Sequence, residues 1–174
     1  MARNIEIKAQ VADMARLLQA AQALAGASAQ RVEQDDTFFN CERGRLKLCA
    51  FPERPGHGEL IFYQRADATG PKASFYEIAT TRCADELRRT LSLAYGQAGR
   101  VRKIRRFVKI GRSRVHLDQV EGLGDFMELE VELVEGESEL GGQQEAQALM
   151  LALGLQDAPL IAGAYTDLLQ ARKP

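Results

Sequence analysis

The segment Asn4-Ile5-Glu6-Ile7-Lys8 alternates polar and aliphatic residues. Successive side chains of a β-strand point to opposite faces, so Asn4, Glu6 and Lys8 share one face and Ile5 and Ile7 the other. Glu128-Leu129-Glu130-Val131-Glu132-Leu133 repeats the pattern with three carboxylates on one face and three aliphatics on the other. Between them lie basic pairs at the same spacing: Arg45 with Lys47, Lys103 with Arg105, and Arg112 with Arg114 on a face shared with His116 and Asp118. A solvated strand face mixes Thr, Ser, Lys and Glu, whereas here whole strands carry one sign. Lys and Arg side chains converging on one cavity repel each other unless a polyanion sits among them, and guanidinium forks match phosphate oxygens. Carboxylates would repel that polyanion unless a hard divalent cation, which prefers oxygen ligands, bridges the two. Basic strands beside acidic ones therefore read as a site for a triphosphate and a divalent metal.

The elements that must position these residues follow from periodicity. A strand over about 3–9 gives way to helical spacing in Val11, Met14, Leu17, Leu18, Ala21 and Leu24, with Gly26 placed to stop the helix. Strands are predicted over 29–40, 43–50, 59–66 (placing Tyr63 and Arg65 on one face) and 73–80. A helix follows, with Thr81 as its cap, Asp85 and Glu86 in its first turn and Gly96 after its end. Strands over 99–109, 112–118 and 125–134 come next, turning at Gly111 and Gly122-Leu123-Gly124. Ser138 opens a third helix closed by Gly154, and a last short helix after Pro159 carries Leu160, Ala164, Leu168 and Ala171. About eight strands, antiparallel by loop length, with three or four helices make an α+β chain. Closed into a barrel with helices outside, the charged faces would line a polar tunnel.

The chain has 174 residues, enough for one domain with a sizeable core, and neither a repeat nor a second domain is visible over 1–174. Lys plus Arg number 23 against 24 Asp plus Glu. That balance excludes a generally basic nucleic-acid coat and leaves charge segregation as the informative feature. No apolar run reads as a signal peptide or approaches the roughly 20 residues of a membrane span, so the expected location is cytoplasmic. Cys41, Cys49 and Cys83 lack metal-ligand spacing and are expected as reduced thiols.

Asn4-Ile5-Glu6-Ile7-Lys8 resembles the Glu-x-Glu-x-Lys signature that opens the CYTH superfamily, the triphosphate tunnel metalloenzymes. The resemblance continues through Gln34-Asp35-Asp36-Thr37-Phe38-Phe39, Gly44-Arg45-Leu46-Lys47-Leu48, Tyr63-Gln64-Arg65, Gly70-Pro71-Lys72-Ala73-Ser74, Arg114-Val115-His116-Leu117-Asp118 and Glu128-Leu129-Glu130 to Ala164-Tyr165-Thr166-Asp167-Leu168. It covers nearly the whole chain and is nearest the bacterial class IV adenylyl cyclase-like branch. The resemblance implies an eight-stranded antiparallel β-barrel, or tunnel, with helices packed outside, binding a triphosphate with Mg²⁺ or Mn²⁺. It assigns Glu6, Glu128 and Glu130 to the metal seat, with Asp118 a further candidate. Lys47, Arg65, Lys103, Arg105 and Arg114 match or neighbour the phosphate-binding set, and Lys72 joins them from its loop. Lys8, crowded by other cations, is expected to have a lowered pKa and to accept a proton or polarise a phosphate. The chain departs at Asn4, where the signature has a Glu, and at Cys49, where a second cation is usual.

Each group also has a plainer reading. Glu132 is balanced between metal ligand and wet strand face, and His116 suits hydrogen bonding within the lining as well as proton transfer, so it stays outside the catalytic set. Cys49 reads as packing or lining and not as a nucleophile. Three functional classes share such a lining: a cyclase converting ATP to cyclic AMP and pyrophosphate, a triphosphatase acting on tripolyphosphate, thiamine triphosphate or a nucleoside triphosphate, and a binding module with little turnover. The expected partner is a triphosphate-containing small molecule, with no membrane and no specific nucleic acid; a homodimer is left open.

Overall fold

The structure, a computed structural model, describes residues 2–172. Its strands are β1 (Ala2–Gln10), β2 (Gln30–Phe39), β3 (Arg45–Ala50), β4 (Gly58–Arg65), β5 (Lys72–Thr81), β6 (Gln97–Ile110), β7 (Ser113–Val120) and β8 (Gly124–Glu132). They close into one barrel in the order β1-β5-β4-β3-β2-β6-β7-β8, every neighbouring pair antiparallel. Closure rests on β1 being paired along both edges: Asn4 lies opposite Ser74 of β5 on one side and Glu132 of β8 on the other. Helices α1 (Met14–Ala25), α2 (Ala84–Tyr95), α3 (Glu139–Ala152) and α4 (Tyr165–Ala171) pack around this barrel.

Because the polar faces point inward, the main apolar core lies between barrel and helices. Ile5, Ile7, Val115, Leu117, Met127, Leu129 and Val131 are buried against Leu17 and Ala21 of α1 and Ala146 and Met150 of α3. Truncating one such side chain, as in Leu129→Ala, costs about 2–5 kcal/mol through lost transfer energy and the cavity left behind. The approach of α3 depends on Gly142, where a Cβ would stand 2.6 Å from Leu133 and 2.7 Å from Ile5. A smaller core under α2 holds Phe39, Leu48 and Ala50, and a third gathers Phe38, Val101, Val120 and Phe126 around Tyr165 of α4. That last cluster closes one end of the barrel.

The predicted helix signals hold at Gly26, a left-handed cap with φ of 61°, and at Ser138, the residue before α3. The second helix starts later than expected: Cys83 is its cap residue, and the Thr81 hydroxyl accepts a hydrogen bond from the Cys83 N–H at 3.2 Å. The last helix also starts later, at Tyr165. Pairing of β5 with β1 ends at Glu6, which leaves the Lys8 carbonyl and the Gln10 N–H on that edge. The 159–161 backbone takes them, Gln10 N donating to Pro159 O and Ile161 N to Lys8 O, each at 2.9 Å. Buried peptide groups need partners, and that demand overrides the helical spacing of Leu160 and Ala164.

Arg112 requires a correction. It sits in the turn between β6 and β7, outside the barrel, with its guanidinium 2.7 and 2.9 Å from Glu137 and 2.8 Å from Glu145 of α3. The alternation that carries Arg114, His116 and Asp118 inward begins only at Ser113, where pairing with Ile110 starts. No helix of the described residues is long and apolar enough to cross a membrane.

Candidate active site

The barrel encloses a cavity of about 720 Å³ lined by side chains from all eight strands. Its two ends differ. The ends of β1 and β7 and the starts of β3 and β6 meet α4 and its approach, where Lys8 Nζ donates to Gly163 O at 3.1 Å, Gln170 Nε2 to Ala98 O at 2.6 Å and Arg172 to Gly122 O at 2.8 Å. Arg45, predicted on the inward face, clasps this end shut, donating to both Asp67 oxygens at 3.0 and 2.8 Å and to Asp167 of α4 at 2.8 Å. The opposite end is rimmed by the loop after β3 and the start of β2.

Around the middle of the cavity each predicted cation is held by an acid. Lys8 Nζ is 3.1 Å from Glu128 and 4.1 Å from the centroid of the Tyr165 ring. Arg65 reaches Glu6 at 2.8 Å, and Arg114 reaches Glu130 at 3.0 Å. Arg105 forks onto Asp118 at 2.6 and 2.5 Å and also touches Glu128 at 2.5 Å. Lys47 and Lys103 share one carboxylate, Asp36, at 3.0 and 2.6 Å. His116 stands 3.5 Å from Glu130, too far for a good hydrogen bond.

These neighbours set the charge states. Burial, and then the Arg65 charge, lower the Lys8 pKa against the pull of Glu128, so the direction matches the sequence expectation although burial outweighs crowding. Burial raises Glu6, helped by the carboxylates of Glu128 and Glu130 and opposed by Arg65. Burial works against ionisation at Glu128 too, yet Lys8 and Arg105 prevail and hold it well below the usual carboxylate range. At Glu130 burial is likewise outweighed, by His116 and Arg114, and its pKa falls to about 2. Asp36 is depressed in the same way by Lys103 and Lys47, against burial.

The structure thus brings Lys8, Lys47, Arg65, Lys103, Arg105, Arg114, Glu6, Glu128 and Glu130 to one cavity. Lys72 and Asp118 are not among its lining residues. Lys72 is buried behind the closed end, where its ammonium caps the carbonyls of Ala68, Ile161 and Ala162 at 2.8, 3.4 and 3.2 Å; burial and the nearby Arg65 lower its pKa to about 8. Asp118 is fully buried, its oxygens taken by Arg105 and by the Tyr165 hydroxyl, which donates to it at 2.9 Å. Glu132 is exposed at the strand's end. All three cysteines are free; Cys49 is buried, while Cys41 and Cys83 are exposed. Sequence reasoning missed two residues, Asp36 and Tyr165. The alternation of Asp36 with Gln34 and Phe38 was the available signal for the first, whereas nothing local announced that Tyr165 would stack on Lys8.

A protein-family model described as the CYTH domain matches residues 2–165. The chain belongs to the CYTH family. Solved structures share the barrel at low identity. The PH1012 protein of Pyrococcus horikoshii OT3 aligns with a TM-score of 0.81 at 20% identity, covering 95% of this chain and 98% of that one. A candidate adenylate cyclase from Vibrio parahaemolyticus gives 0.73 at 17%, covering 96% and 97%. A candidate adenylyl cyclase from Hippeastrum, described as having a dominant triphosphatase activity, gives 0.65 at 15%, covering 100% and 97%. A search of curated proteins found no match.

CYTH membership implies a divalent metal, and the oxygen donors present suit one. Among the described residues no three His, Cys, Asp or Glu side chains already converge as a metal seat, because each carboxylate is turned toward a cation. Asn4, however, is buried in the lining with its Oδ1 lacking any hydrogen-bond partner, two residues from Glu6, and Glu6 is paired across the sheet with Glu130. A neutral carbonyl oxygen beside two carboxylates is a donor set for a hard cation. Glu6, Glu128 and Glu130, together with Asn4 where the signature has a Glu, are the residues that would hold such a cation.

Proposed function

We propose that this chain is a metal-dependent phosphoryl-transfer enzyme that takes a triphosphate into the closed barrel and, as a class IV adenylyl cyclase-like protein, converts ATP to cyclic AMP and pyrophosphate. The observation that supports this most is the pairing of Lys8, Arg65, Arg105 and Arg114 with Glu128, Glu6 and Glu130 inside one cavity. A phosphate chain offers those cations oxygens in place of the carboxylates, and Glu6, Glu128 and Glu130, so released, would be free to hold a divalent cation. A bound Mg²⁺ or Mn²⁺ would supply charge neutralisation at the phosphate oxygens. The cavity volume of about 720 Å³ lies within the range usual for small-molecule sites.

The chemistry asked of the protein is mainly positioning and charge stabilisation. In the cyclase reaction the ribose 3′-hydroxyl gives up its proton to water, its oxygen bonds to the α-phosphorus, the bond from that phosphorus to the bridging oxygen breaks, and pyrophosphate leaves. Arg65, Arg105 and Arg114 present planar forks to non-bridging oxygens, which suits bidentate contact. Lys8, fixed over the Tyr165 ring, places a compact cation at the closed end and polarises the phosphate nearest α4. Asp118, itself held by the Tyr165 hydroxyl, accepts from Arg105 Nε and Nη2 and so keeps the guanidinium in one orientation as phosphate binds.

Incubation with ATP, thiamine triphosphate and tripolyphosphate, each with Mg²⁺ or Mn²⁺, tests the proposal. Cyclic AMP and pyrophosphate from ATP are the expected products. Orthophosphate as the sole product would assign a triphosphatase instead, and metal-dependent binding without turnover would assign a binding module.

A further inference from the structure

His116 stands on the inward face of β7 between Arg114 and Asp118, and it lines the cavity while only 8% exposed. Among the described residues neither of its ring nitrogens has a hydrogen-bond partner. A buried imidazole ordinarily donates from one nitrogen to a carbonyl or carboxylate, and nitrogens left without partners cost free energy that a bound group can recover. The ring beside it, Phe107, packs at 6.0 Å between centroids and offers it no acceptor.

The polar groups nearest those nitrogens are carboxylates. His116 lies opposite Glu128 in the register of β7 and β8, and its Nε2 is 3.5 Å from Oε2 of Glu130. Glu130 lies opposite Glu6 of β1, whose neighbour on the same face is Asn4 with its orphaned Oδ1. A gap of 3.5 Å is long for a hydrogen bond, whereas two ligands held about 2.1 Å from one ion at roughly 90–110° to each other stand about 3.0–3.5 Å apart. Arg114 shares that Glu130 oxygen at 3.0 Å and must turn to phosphate before an ion can take it.

We infer that His116 is a ligand of the divalent cation, adding an imidazole nitrogen to the oxygens of Glu6, Glu128, Glu130 and Asn4, so that the seat is mixed nitrogen and oxygen and favours Mn²⁺ or Co²⁺ over Mg²⁺. The inference rests on the metal-triphosphate reading above and specifies which cation the site takes. Oxygen ligands alone suit Mg²⁺, and an imidazole shifts the preference toward first-row transition ions. With a neutral amide at Asn4 in place of a carboxylate, a nitrogen donor restores a ligand without restoring the charge.

Labelling the histidines with ¹⁵N tests this on the natural chain. With Mn²⁺ and methylene-bridged tripolyphosphate bound, pulsed electron paramagnetic resonance should show a directly bonded nitrogen whose coupling changes with the label. The chain has two histidines, and His57 is exposed in the loop after β3, so His57→Ala should keep the signal and His116→Gln should abolish it. In calorimetry with the same analogue the natural chain should bind Mn²⁺ and Co²⁺ at least about tenfold more tightly than Mg²⁺, and His116→Gln should remove most of that preference while changing Mg²⁺ affinity by less than about twofold. Bound Mn²⁺ without a histidine nitrogen, or a variant that weakens all three ions alike, overturns the assignment and leaves the metal-triphosphate reading standing. If the histidine signal appears with Mn²⁺ alone and the analogue does not bind, His116 stays a ligand and the triphosphate reading falls. If Mn²⁺ does not bind with or without the analogue, both fall.

Discussion

Asp36 is the sole acid hydrogen-bonded to Lys47 and Lys103 among the described residues, at 3.0 and 2.6 Å, and the side chains of Asp36 and Lys103 are only 2% and 1% exposed. Asp36→Asn keeps the shape and removes the charge, leaving two ammonium groups in a barrel wall without their counter-ion. Breaking a buried ion pair from one side costs about 3–5 kcal/mol. At roughly 2–4 °C per kcal/mol for a chain of this size, the melting temperature at pH 7 should fall by about 6–20 °C. The effect has a defined pH dependence. Burial opposes ionisation of Asp36, but the two lysines outweigh it and depress its folded pKa, so its stabilisation is complete above the unfolded carboxyl value of about 4 and is lost as pH falls from there toward the folded value. The gap between natural chain and variant should therefore be constant near neutrality and narrow below about pH 4. The freed lysines should also attract a polyanion more strongly. A methylene-bridged tripolyphosphate at a hundredfold excess over its Kd stabilises the natural chain by about 2.7 kcal/mol, and at the same concentration the variant should gain more. Thermal melts with and without the ligand across this pH range measure both effects. A loss under about 1 kcal/mol at pH 7, or an identical ligand shift in the two proteins, would refute the assignment of Asp36 as the shared counter-charge.

Replacing Glu128 and Glu130 together by Gln should abolish divalent-metal binding and turnover, a loss of several kcal/mol of transition-state stabilisation, while circular dichroism shows the barrel retained; undiminished metal-dependent activity would remove both from the metal seat. Asn4→Glu places a charge where the orphaned Oδ1 now lies, and should tighten Mn²⁺ binding measured by calorimetry in the presence of the tripolyphosphate analogue. Arg112→Ala, which breaks the exterior contacts to Glu137 and Glu145, should cost no more than about 1 kcal/mol and leave the affinity for that analogue unchanged, unlike Arg114→Ala, which should weaken it at least tenfold.

Period-two alternation by itself determined which side chains share a face: Asn4, Glu6 and Lys8 opposite Ile5 and Ile7, and Glu128 and Glu130 opposite Leu129 and Val131. The charge signs on those faces made a polyanion the expected guest before any strand pairing was known, because sidedness is a local property of an extended chain. Partners are not local. That Glu6 lies opposite Glu130 while its carboxylate holds Arg65, and that Arg105 rests on Asp118 and Glu128, follows from the register of separate strands and from closure of the barrel. The adjacent acids Asp35 and Asp36 show the divide. Alternation requires them to face opposite ways, but only the barrel decides that Asp35 turns outward to Arg100 at 2.7 Å while Asp36 turns inward to two lysines. Strand ends were the least legible, since a turn cancels the alternation that places Arg114 inside and leaves Arg112 outside. The segment 160–164 has helical spacing and yet lies outside the helix for the same kind of reason: its conformation is set by the unpaired edge of β1, more than 140 residues away in sequence, and no window of the sequence contains that edge.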